Sequence, residues 1–237
     1  MNVTPPGETA AGEHTLLPHR QLLGDSVYEA VKALVMDHVL APGERVSIER
    51  FARELGVSPT PLREALARLE ADGLMLKEPM RGYSVAPLLT RRELAELYEL
   101  RLLLEPWGAR SAAMRATPSD LLELGRELGR FPKMPREASN YAGYRAAADH
   151  DTRLHGLVFR AAGNEAIAGA YERTRCHLHM FRIHYRYRPE VTRQTLGEHK
   201  RIVTAITAGE SDAADAAMRE HILLSRERLA GIQDQLR

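Results

Sequence analysis

The sequence predicts a mostly α-helical protein, with an N-terminal winged helix-turn-helix domain followed by an all-α helical bundle. Three observations carry this. Aromatic residues are only 5% of the chain, whereas the helix formers Ala, Leu, Arg and Glu recur throughout. Residues 56–88, GVSPTPLREALARLEADGLMLKEPMRGYSVAPL, run as turn, helix, strand, glycine turn and strand. Past residue 90 the apolar spacing is helical, broken by Pro, Gly and Asn, with no alternating stretch that would make a strand.

Taken in order, residues 1–19 are rich in Thr, Pro and Gly and read as a flexible tail. Ser26 to Leu40 places Val27, Ala30, Val31, Leu34, Val35 and Val39 on one helical face. Pro42 and Gly43 break that pattern. Ser47 then suits an N-cap, with a short helix to Leu55 and Gly56 just beyond its end. The next helix opens on prolines and spans Pro59 to about Ala71. Asp72-Gly73 turns into a two-stranded wing, Leu74–Glu78 and Tyr83–Pro87, joined at Arg81-Gly82. The winged module is therefore placed at 20–88 and the bundle at 89–237.

Thr90 and Glu93 make a capping box for a long helix in which Pro106 marks a point of bending. Thr117-Pro118 starts the next helix, and residues 130–140 read as a loop. Further helices are expected near 141–162, 164–187, 190–208 and 211–235, giving six or seven in the bundle.

Composition limits the functional classes. A chain of 237 residues suits one large domain or two smaller ones. The only cysteine, Cys176, excludes an internal disulfide and fits a reducing cytoplasm. No apolar run approaches the ~20 residues that span a bilayer, so no membrane role is expected. Net charge is only +1, and residues 20–88 carry nine Lys/Arg against ten Asp/Glu, a balance of −1. A nucleic-acid partner is then recognised by charge placed on one face, not by excess charge.

In a helix-turn-helix the second helix enters the major groove. Here Leu62, Ala65, Leu66 and Leu69 make its buried stripe, which leaves Ser58, Thr60 and Arg63 facing outward near its start. Hydroxyls donate to phosphates, and Arg63 suits guanine O6/N7 or a phosphate. Arg50 and Arg53 on the preceding helix, and Arg81 at the wing turn, are candidate backbone or minor-groove contacts. Gly82 allows the wing backbone to approach the duplex closely.

In the bundle, Asp151 and His155 stand one helical turn apart, ~6 Å, on one face. His199 and His221 lie on two later amphipathic helices. One carboxylate and three imidazoles suit a borderline divalent cation such as Zn²⁺, Ni²⁺, Mn²⁺ or Fe²⁺. Arg101 and Glu105 form another i, i+4 pair, read either as a surface ion pair or as an arginine that grips an effector carboxylate. Arg182 and His184 are further candidates for an effector pocket, whereas His177 and His179 do not share a helix face.

The motifs Gly56–Leu66, Leu69–Leu74 and Arg81–Leu88 resemble the GntR family of bacterial transcription regulators, and RGYSVAPLLTRRELAELYELRLLLE resembles its FadR-type branch with an FCD effector domain. The resemblance implies a homodimer on near-palindromic double-stranded operator DNA. It also implies a metal set at Asp151, His155, His199 and His221, and a small organic acid effector. Pro59 stands where the family often carries arginine, and Glu49 where the member that names the FadR-type branch carries one, so operator sequence does not carry over. A ligand-responsive regulator, with repression as the default sign, is the leading expectation. A metal-dependent hydrolase using the Asp/His₃ set, or a regulator sensing the metal itself, are the rivals.

Overall fold

The computed structural model describes residues 19–130, 140–183 and 189–235. The 1–18 segment, most of the predicted 130–140 loop, and His184 lie outside the described residues.

Helix α1 (His19–Met36) buries Val27, Val31 and Val35 against the helix-turn-helix. Ser47 caps α2 (Ile48–Glu54), its side chain accepting from the Arg50 N–H. Gly56 follows at φ +66°, which a side chain would resist, and turns the chain into α3 (Pro59–Ala71). Leu62, Ala65, Leu66 and Leu69 on α3 are all buried, the stripe expected from spacing. Strands β2 (Met75–Glu78) and β3 (Gly82–Val85) form the wing, with Glu78 opposite Gly82.

A third strand, β1 (Arg45–Val46), pairs antiparallel with β3, so the sheet order is β1-β3-β2 and not the expected pair alone. Only two residues pair, Arg45 with Ser84 and Val46 with Tyr83, too few for a period-2 signal.

The bundle follows. Thr90 caps α4 (Arg91–Arg115) through a complete capping box, and the helix continues through Pro106. Thr117 does the same for α5 (Pro118–Gly129) with Asp120. Then come α6 (Tyr141–Ala161), α7 (Glu165–Arg173), α8 (Cys176–Ile183), α9 (Pro189–Thr207) and α10 (Ser211–Gln235). The single helix expected over 164–187 is therefore two, parted where Arg175 adopts φ +48°.

The two modules share one apolar cluster. Tyr141 and Tyr144 of α6 pack with Val35, Met36 and Leu66 of the winged module, and Phe181 of α8 packs against them. Arg182 is 1% exposed and has no carboxylate partner among the described residues. Its guanidinium donates to the carbonyls of Ala86 at 2.7 Å and Pro87 at 3.5 Å, where the chain leaves the wing. Its own carbonyl meets His38 Nε2 at 2.9 Å. Gly73 sits at φ +73° with His179 so near that an added Cβ would lie 3.1 Å from Nε2.

Candidate functional site

Helix α6 carries Asp151 and His155 inward, α9 carries His199 and α10 carries His221. One donor atom from each lies within 4.8 Å of the others, and all four side chains are buried. The His155 ring centroid is 5.4 Å from that of His199 and 5.2 Å from that of His221. The Nε2 atoms of His155 and His199 are buried without a well-formed hydrogen bond; Asp151 Oδ1 is 3.4 Å from His199 Nε2. Buried ring nitrogens left in this way are rare in a settled core. The donor set fits a borderline divalent cation.

The outer side of every ligand is held. Glu105 Oε2 lies 2.6 Å from His155 Nδ1. Glu198 accepts from His221 Nδ1 at 2.8 Å while clasping Arg228 through both oxygens. His199 Nδ1 meets His150 Nε2 at 3.2 Å, and His150 Nδ1 meets Glu127 at 3.0 Å. His177 Nδ1 donates to Asp151 Oδ2, and its Nε2 meets the Tyr171 hydroxyl at 2.7 Å. A carboxylate or imidazole lies beside Nδ1 of each ring, an arrangement that favours the Nδ1–H tautomer, leaves Nε2 for a cation and raises ligand basicity.

The electrostatics agree. Burial pushes His155 and His199 below the ordinary histidine range, and burial with the neighbouring histidines takes His221 to about 3. Neutral imidazole is the ligating form. Burial alone would raise Asp151, but His177 beside it holds the carboxyl well below its usual range. Burial opposes protonation of His177 as well, yet the charges of Cys176 and Asp151 lift it to about 10. Burial would raise Glu198 too, but the bonds from His221 and Arg228 bring it to about 2.

This sets a pH dependence. The contribution of Glu198 is complete above its unfolded value of 4.5 and is lost as pH falls toward about 2. The unfolded chain takes up a proton at His221 below pH 6.5 that the folded chain refuses until about 3, which also removes stability on acidification. The metal-free protein should therefore melt progressively lower below pH 6.5. In Glu198→Gln the fall between pH 4.5 and 2 should be shallower, from a lower melting point at pH 7. Parallel melting curves by circular dichroism across that window would refute the assignment.

A cavity of about 90 Å³ opens beside the cluster, lined by Asp151, His199 and His221 together with Arg101, Met180 and Phe181. Arg101, 1% exposed, reaches it from α4. Its Nε donates to Glu105 at 2.5 Å, and its Nη1 rests on the Met180 thioether at 3.0 Å. The surface-pair reading of Arg101 and Glu105 is thus corrected: both are buried, and Glu105 joins Arg101 to His155. Arg182 is corrected too. It is absent from the cavity wall and binds the wing's last carbonyls, because i and i+2 point away from each other on a helix and Met180 takes the inward position.

On the winged module, Ser58 caps α3 in backbone geometry but makes no side-chain cap bond, which leaves its exposed hydroxyl available. Thr60, Arg53 and Arg63 are exposed; Arg63 lies 3.6 Å from Glu49, and Arg50 lies 3.2 Å from Glu54. Arg81 stands 3.9 Å from Glu78 at the wing turn, and Gly82 has φ +83°. Arg45 on β1, not singled out from the sequence, lies 3.8 Å from the same Glu78. These pairs are solvent-exposed and worth little, so a phosphate can replace them at small cost.

Residues 23–85 match the family described as bacterial regulatory proteins, gntR family, and residues 96–224, more than half the chain, match the FCD domain. The chain belongs to the GntR family. An uncharacterized HTH-type transcriptional regulator of Agrobacterium vitis is 32% identical over 164 residues, covering 65% of this chain and 94% of that protein. The uncharacterized regulator YdhC of Bacillus subtilis is 26% identical over 202 residues, covering 83% of this chain and 84% of YdhC. The solved structure of McbR/YncC from E. coli matches with a TM-score of 0.65 at 20% identity, covering 91% of this chain and 99% of that one, a likeness of fold. This GntR-family chain is a DNA-binding transcription regulator with an FCD effector domain, and not an enzyme; the hydrolase alternative is set aside. FCD domains often bind metal. Among the described residues no helix is long and apolar enough to cross a membrane.

Proposed function

We propose that this regulator is a cytoplasmic homodimer that represses transcription from a near-palindromic operator and is switched by a small organic acid bound beside a divalent cation. The observation that carries the reading is the convergence of four buried, back-held donors, three of which, Asp151, His199 and His221, line a cavity. Asp151, His155, His199 and His221 would hold the ion, which would supply a fixed positive charge and open positions for a carboxylate oxygen. Arg101 adds a second cationic contact from α4. A cavity next to the donors favours an organic signal over the metal as the signal.

DNA contact is assigned to Ser58, Thr60 and Arg63 at the start of α3, to Arg50 and Arg53 on α2, and to Arg81 and Gly82 in the wing. The tail at 1–19 and modules at 20–88 and 89–237 complete the proposed layout. Helix α8 supports a route between them, because Met180 and Phe181 line the cavity and Arg182 holds the exit from the wing. A coupling of ~1–3 kcal/mol would suffice for switching.

The test is Arg63→Ala against an operator selected from random duplexes. Loss of one bidentate base contact is expected to weaken binding by ~1–3 kcal/mol, roughly 5- to 150-fold, with dimer and melting temperature unchanged. Unaltered affinity would remove α3 from the interface.

A further inference from the structure

The wing turns at Glu78-Pro79-Met80-Arg81, where the Arg81 N–H donates to the Glu78 carbonyl at 3.1 Å. Pro79 takes the second position, and its ring fixes φ at about −65°. Met80 takes the third, with φ +62°. That combination is a type II turn, whose third position favours glycine or asparagine because the backbone there is left-handed. A methionine in this place costs conformational energy that glycine would not. Packing on the chain returns none of it, since Met80 is 103% exposed. An exposed methionine by itself is ordinary. One carried at the tip of a turn, on a backbone that resists it, breaks a local rule, and such breaches gather at functional sites.

The surroundings indicate the partner. Arg81 follows Met80 directly, and Arg45 of β1 reaches the foot of the same turn; the two lie 3.9 and 3.8 Å from Glu78. Both are exposed, and so is Lys77 on β2. The turn also belongs to the module that matches the gntR family. A bare apolar tip among cations suits a polyanion with an apolar interior, and duplex DNA, with its phosphates outside stacked bases, has that chemistry.

We infer that Met80 is an apolar wedge that enters the minor groove beside each half-site and parts one base step, with Arg81 and Arg45 on the flanking phosphates. The inference rests on the placement of the wing against the duplex and adds to Arg81 and Gly82 a contact of different chemistry. An inserted apolar side chain unstacks the step it enters and kinks the duplex. Pyrimidine–purine steps yield most easily, so Met80 selects sequence through deformability and not through a hydrogen bond to a base edge.

The test uses the full chain and a duplex that it selects from random sequence, with 2-aminopurine placed in turn at each step flanking the half-sites. This base brightens when it is unstacked. Binding of the native chain is expected to brighten one step beside each half-site. Met80→Gly should abolish the brightening and weaken binding about tenfold. The dependence of its affinity on salt should match the wild type, because no phosphate contact is lost. Its melting temperature should hold or rise by up to ~4 °C, since glycine takes the turn without strain. Met80→Leu should restore both brightening and affinity. Arg81→Ala should weaken binding and lower the salt slope by about one. A Met80→Gly chain that binds and brightens as the wild type does would overturn the inference, and so would a native complex in which no step brightens. If Arg81→Ala weakens binding and Met80→Gly does not, the wing stays on the duplex and the wedge alone falls. If neither variant changes affinity, the wing is off the duplex and both readings fall.

Discussion

Replacing His155 and His221 together by alanine is expected to lower bound metal from about one equivalent per chain to less than a tenth, and to abolish the rise in melting temperature on adding Zn²⁺. Two of four donors are lost, one from α6 and one from α10, and the remaining Asp151 and His199 leave an open pair on α6 and α9. An ion that binds only the folded state stabilises it by about 4 kcal/mol at a thousandfold excess over Kd, so its loss is visible in a melt. The metal-free variant should stay folded. Glu105 keeps Arg101 and Tyr171, and Glu198 keeps Arg228, when the rings are removed. Metal analysis after gentle purification, with calorimetry, reads both quantities. A double variant that retains a full equivalent of metal would place the ion elsewhere.

The second large effect is at Glu105. This carboxylate is 0% exposed and accepts from Arg101, accepts from the Tyr171 hydroxyl at 2.8 Å and backs His155. Burial opposes the charge of Arg101, but Glu105 raises its proton affinity well above the ordinary value; Glu105 in turn is held well below the usual carboxylate range, where burial opposes this but Arg101 and His155 prevail. Glu105→Gln leaves a guanidinium buried without a counter-charge, which costs about 3–5 kcal/mol. Arg101→Met with Glu105→Gln removes both charges and should recover much of that loss. Urea unfolding of the wild type, two single variants and the double variant closes the cycle. A coupling near zero would mean that the pair is not the element holding α4 to the site.

The contrast between Glu105 and the four ligands shows which features were legible in the sequence. Asp151 and His155 declare themselves by i, i+4 spacing, and α3 begins and ends where its prolines and Asp72 indicate. The groups behind the ligands carry no such mark toward their histidines; the i, i+4 spacing of Glu105 points to Arg101 alone. Glu105, Glu127 and Glu198 sit on α4, α5 and α9, and each reaches its histidine only after the bundle has folded. His177 fails a helix-face test with His179, yet finds Asp151 across a helix boundary. That boundary was hidden as well. Thr174-Arg175 contains neither glycine nor proline, and the left-handed Arg175 lies 3.5 Å from Asp72 of the winged module. Thr174 supports the break locally, its hydroxyl donating to the Tyr171 carbonyl at 2.6 Å and accepting from the Cys176 N–H at 3.3 Å.

The dry arginine at position 182 bears on how separable the modules are. A junction stitched by a cation to two peptide oxygens, with tyrosines of one module filling the interior of the other, is not a tether that can be trimmed. Fragments truncated near residue 88 would lay bare aromatic rings and strand a charge, and should clump or stay molten. The intact polypeptide should instead melt in a single step, two modules by descent but one cooperative body in thermodynamics.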